Sequence, residues 1–140
     1  MSLRFSPVII ADATTYAVKE YNSGLIHIIP DVASTITITL PSPKKGLKYE
    51  FWYGGAAADA QNFAIATGSN TNYFKGNVVW SDSDSATDNT AAVFSDNNSN
   101  SLLTVVTPDG GTRVEVLCDG TIWYLTGHIV SASTPTIADV

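Results

Sequence analysis

The chain has 140 residues, enough for one domain with its own core, and only 14% of them are charged, against about a quarter in a typical soluble domain. A net charge of -6, with seven Lys and Arg in all, denies it the basic face that DNA, RNA or an anionic membrane surface requires. Cys118 is the only cysteine, which leaves no intrachain disulfide and no CxxC metal or redox motif, so stability has to come from packing and assembly.

Residues 1–13 carry Leu3, Phe5, Val8, Ile9 and Ile10 around Pro7 without a clean period. They read as an N-terminal arm that docks on another molecule, or as an edge strand, where Pro7 is tolerated because an edge position need not donate a ladder bond. Pro7 and the short apolar run argue against a signal peptide, and no stretch of about 18 apolar residues offers a transmembrane helix. The expectation is a chain made and kept in the cytoplasm, with no membrane partner.

The body of the domain is expected over residues 14–130. Residues 14–19 read as a short strand, Asn22-Ser23-Gly24 as a turn, and residues 25–29 as a strand whose two faces, Leu25/His27/Ile29 and Ile26/Ile28, are both largely apolar. Residues 35–53 hold two alternating strands around a proline-bracketed loop. Ile36, Ile38 and Leu40, then Leu47, Tyr49 and Phe51, supply the core, while Lys48, Glu50 and Trp52 take the reverse face. An aromatic on such an outward face is a typical interface anchor. Gly54-Gly55-Ala56-Ala57-Ala58 reads as a loop or a single helical turn. Residues 62–67 form a strand, with Phe63 and Ile65 on one face and Ala64 and Ala66 on the other; residues 73–80 form one broken at Gly76, by a bulge or the close approach of another backbone.

Residues 81–100, rich in Ser, Asp and Asn, read as a long loop anchored by Ala91-Ala92-Val93-Phe94. Residues 101–107 form a strand and Pro108-Asp109-Gly110-Gly111 a turn. In residues 112–127 the Asp119-Gly120 pair predicts a hairpin with a two-residue type I′ turn. That register sets Cys118 opposite Thr121, Val116 opposite Trp123 and Val114 opposite Leu125 on the core face, with Leu117/Ile122 and Glu115/Tyr124 on the other. Residues 131–140 read as an extended, loosely held C-terminal tail. Short strands, turn signals and no helical period predict an all-β fold, a small antiparallel β-sandwich (jelly-roll-like) or a partly open barrel.

Chemistry-bearing patterns are sparse. His27 and His128 lack HxH or HExxH spacing, and Cys118 reads as an inert buried thiol. The run Asp82, Asp84, Asp88 has Thr87 where a calcium loop needs glycine and Val93 where it needs glutamate, so it reads as a solvated loop. No phosphate loop, nucleophile elbow or dinucleotide fingerprint occurs. The sequence therefore names no catalytic residue, no metal ligand and no cofactor, and the expectation is a protein that is not an enzyme.

Four pieces in order are Thr37-Ile38-Thr39-Leu40-Pro41, Gly46-Leu47-Lys48-Tyr49-Glu50-Phe51, Phe74-Lys75-Gly76 and a final hairpin from Cys118-Asp119-Gly120 through Trp123-Tyr124 to Gly127. This pattern resembles the β-domains of tailed-bacteriophage virion proteins, over about residues 16–127. The resemblance implies a capsid decoration (cement) protein on the virion surface, synthesised in the host cytoplasm, bound to the major capsid protein and frequently trimeric. The interface residues expected on that view are Leu3, Phe5, Val8, Ile9 and Ile10 of the arm, together with Trp52. The alternative is a tail-fibre module that binds a receptor or carbohydrate through Tyr73, Trp80 or Phe94.

Overall fold

The computed structural model describes residues 6–56, 61–84 and 89–140; Leu3, Phe5, Ala57, Ala58, Thr87 and Asp88 lie outside the described residues. The elements in the first half are β1 (Val8–Ile9), β2 (Thr15–Ala17), a 3-10 turn at Glu20–Asn22, β3 (Ile26–Ile29), β4 (Ile36–Thr39), β5 (Lys48–Tyr53) and β6 (Phe63–Ala66). The second half adds β7 (Phe74–Asp82), β8 (Thr90–Phe94), β9 (Leu102–Val105), β10 (Arg113–Cys118), β11 (Trp123–Ser131) and β12 (Thr136–Ala138). They form a seven-stranded sheet in the order β1-β3-β5-β10-β11-β7-β8 and a five-stranded sheet in the order β12-β9-β6-β4-β2.

The two sheets pack face to face as an all-β sandwich, but they are mixed and not purely antiparallel. From β1 to β6 the chain alternates between sheets, so β1, β3 and β5 are mutually parallel in one and β2, β4 and β6 in the other. Parallel neighbours need a long crossover, and here each crossover is itself a strand of the opposite sheet. The second half closes the coil: β9 joins the smaller sheet antiparallel to β6, β12 adds antiparallel to β9, and β10 inserts antiparallel between β5 and β11.

This winding puts the two strands of residues 35–53 in different sheets, facing each other. Ile36, Ile38 and Leu40 meet Leu47, Tyr49 and Phe51 across the core, none more than 7% exposed. Ala64 and Ala66 point the other way yet are buried too, because Thr37, Thr39, Leu102 and Thr104 flank them in register. The outer face of the smaller sheet is consequently uncharged, built of threonine and alanine with Leu102.

The β10–β11 hairpin differs from the expected register. Cys118 pairs with Trp123, Val116 with Leu125 and Leu117 with Tyr124, a shift of one pleat. The reason is Asp119, whose carboxylate accepts the Thr121 and Ile122 amides at 2.9 and 2.8 Å and holds a longer loop, in which Gly120 alone is left-handed (φ 112°). Because side chains alternate with period two, a shift of this size leaves every residue on its expected face. Gly76 is a close backbone approach: a Cβ there would meet the Leu125 carbonyl oxygen of the neighbouring strand. In the expected 81–100 loop, residues 90–94 form β8, a return strand antiparallel to β7. The C-terminal segment is extended but tied down, with β12 on β9, the Val140 amide on Asn70 and Ser101, and Asp139 accepting from Ser99 and Asn100.

Candidate functional site on the outer face of the larger sheet

On the larger sheet, even-numbered β10 residues and odd-numbered β5 residues fill the core, so their alternates face outward. In register, Ile9, Ile28, Trp52, Arg113, His128, Val79 and Ala92 form one row across all seven strands. The next row reads Ile26, Glu50, Glu115 and Thr126, and a third Lys48, Leu117, Tyr124 and Lys75. Apolar side chains stand exposed throughout this face: Ile9 at 66%, Phe94 at 67%, Tyr124 and Leu117 at 45%, Val79 at 44% and Trp52 at 41%.

Trp52 is held, not loose. Its indole N–H donates to Glu50 at 2.9 Å, and the Arg113 guanidinium lies over the ring at 5.6 Å from its centre. Glu50 sits directly opposite Glu115, a pairing of like charges that costs stability unless it is offset. Lys48 offsets it by bonding Glu115 at 3.0 Å, and the Glu115 carboxylate in turn raises the Lys48 pKa. A surface ion pair of this kind contributes little by itself; its role here is to fix the pattern of charge around the indole.

Hollows flank this centre. One of about 460 Å³, mainly apolar, lies between Pro7, Leu25, Ile26, Ile28 and Trp52, and a polar one of about 350 Å³ is lined by Glu50, Arg113, Glu115, Thr126 and His128. Their linings are suited to contact, with aromatic and aliphatic side chains beside fixed charges. Among the described residues no three His, Cys, Asp or Glu side chains converge as a metal site.

The other sequence candidates distribute as follows. Val8 and Ile9 form edge strand β1, with Ile10 buried beneath it, so of the arm's described interface candidates Val8, Ile9 and Ile10 it is Ile9 that stands out to solvent. His27 points into the core against the Tyr16, Tyr49 and Phe51 rings, whereas His128 faces outward and bonds Ser81 at 2.9 Å, so the two do not meet. Cys118 is buried. Asp82 accepts the Asp84 amide at 2.9 Å. Trp80 is buried and its indole N–H donates to Ser131, which removes it from any ligand; Phe94 is open and Tyr73 half-buried. Sequence reasoning missed Arg113, Glu115 and His128, since only the register of β5, β10 and β11 brings them beside Trp52. No protein-family model matches the chain, and no characterised protein matches its sequence.

Proposed function

We propose that this chain is a structural protein of a tailed-phage virion, a decoration (cement) protein that binds the major capsid protein on the head and stabilises the shell. The observation that carries this reading is the Trp52 centre: an exposed indole fixed between Glu50 and Arg113 in the middle of a broad face studded with exposed apolar side chains. Protein interfaces concentrate their free energy in such Trp and Arg anchors, and a sheet presents them with little ordering cost on binding. The pieces that carry the resemblance to phage β-domains include most of β5 and the first half of β11, two of the strands that build this face. Bound across a joint between capsid subunits, the protein adds interface free energy that must be lost before the shell opens.

Capsid shells assembled from the cognate major capsid protein test this by co-sedimentation. Wild-type protein is expected to saturate the shells, and Trp52→Ala to bind about 30-fold more weakly, the loss of an anchor contributing about 2 kcal/mol. Failure of the wild type to bind shells contradicts the proposal. The tail-fibre alternative draws its support from the polar hollow of Glu50, Glu115 and His128 beside Trp52, a place for a sugar, and it predicts labelling at the tail tip of virions in place of the head.

A further inference from the structure

Sheet edges are sites of unwanted pairing, and among the described residues three of the four edges are blunted. β1 is two residues long and follows Pro7; β2 is three residues long, between Asp12 and Lys19; β12 is three residues long, between Pro135 and Asp139. β8 is the exception, five residues, Thr90-Ala91-Ala92-Val93-Phe94, with neither charge nor proline and with all but Val93 exposed. The direction of its free groups follows from its register with β7. The Ser95 amide bonds the Gly76 carbonyl at 3.0 Å and the Asp82 amide bonds the Asn89 carbonyl at 2.9 Å, so residues 89, 91, 93 and 95 turn their backbone groups toward β7. Thr90, Ala92 and Phe94 therefore present their N–H and C=O groups to the open side.

Charge says what that edge would accept. Asp82 and Asp84 lie at one end of β8 and Asp96 at the other. Asp96 accepts the Ser99, Asn100 and Asn98 amides, which hold its pKa down at about 2 and keep it ionised at any working pH. Antiparallel pairing of two copies about Ala92 would set each copy's Asp96 beside the acidic end of the other, in a chain already at -6. We propose that β8 takes an added strand from another protein, an extended segment with an uncharged centre and Lys or Arg at its ends, bonded to the backbone of Thr90, Ala92 and Phe94. This inference is independent of the Trp52 centre and of where the protein acts.

Amide hydrogen exchange tests it, with a short synthetic peptide of alternating valine and threonine ended by lysines as the probe. At saturating peptide the Thr90, Ala92 and Phe94 amides are expected to exchange about tenfold more slowly, while Ala91 and Val93, already bonded to β7, do not change. The same peptide ended by glutamates is expected to bind about tenfold more weakly at low salt, and Ala92→Pro, which removes only an outward N–H, to abolish the slowing at Thr90 and Phe94. Unchanged exchange at those amides, equal binding of the glutamate peptide, or slowing that grows with protein concentration without peptide would each overturn the proposal, the last in favour of self-pairing.

Discussion

Trp123 is the largest fully buried side chain, and its indole N–H has no hydrogen-bond partner among the described residues. Trp123→Ala is expected to cost about 3–5 kcal/mol in denaturant unfolding, through lost burial and the cavity left behind. Trp123→Phe should cost distinctly less, because it also removes a buried donor whose desolvation costs about 1–3 kcal/mol. His27 gives the fold a pH dependence. Burial lowers its pKa, opposed by its bond to the Leu25 carbonyl, so the folded protein resists protonation that the unfolded chain accepts. Stability is then complete above the unfolded value of about 6.5 and falls as the pH drops below it. His27→Phe should flatten the unfolding midpoint over that range, and an unaltered slope would show that His27 is not its source. Asp96 acts lower down: with its pKa depressed to about 2, its contribution is present above the ordinary carboxylate range and is lost as the pH falls toward that value.

At the scale of elements, the strongest test is Gly76→Ala. A Cβ would collide with the Leu125 carbonyl, and φ of 126° disfavours any side chain, so the β7–β11 pairing has to give way. The expected loss is about 3 kcal/mol or more, read from the unfolding midpoint. The sequence displays Gly76 as a break in the strand of residues 73–80, and that much of the fold was legible. So was the face of nearly every strand residue, because the period of two assigns Ile36, Ile38, Tyr49, Phe51, Val114 and Val116 inward whatever their partners. What alternation does not encode is which strand lies beside which. β4 and β5 carry matching patterns yet belong to opposite sheets, and the parallel neighbours β3 and β5 share no turn signal because another strand separates them. The hairpin register failed for a local reason, the Asp119 carboxylate competing for the turn amides. Asp119→Ala should destabilise the loop and disturb the Trp123 environment, visible in its fluorescence. β8 was hidden in a polar stretch because only Ala91, Ala92, Val93 and Phe94 mark it.

For the whole molecule, the two outer faces differ in kind. The smaller sheet shows threonine and alanine without charge, while the larger displays Trp52, Arg113, Glu50, Glu115 and His128 amid exposed apolar side chains. Trp52 is half in solvent and outside the core, so Trp52→Ala should change stability by no more than about 1 kcal/mol while removing the anchor. Deleting residues 1–10 would strip β1 from the sheet and the buried Ile10 from the core, whereas a truncation ending before Pro7 spares both and tests the arm alone. The most direct measurement is an electron cryomicroscopy reconstruction of capsid shells incubated with the protein. The predicted result is density over the head with the Trp52 face of the larger sheet against the capsid subunits; empty shells, or attachment through the threonine and alanine face, would contradict it.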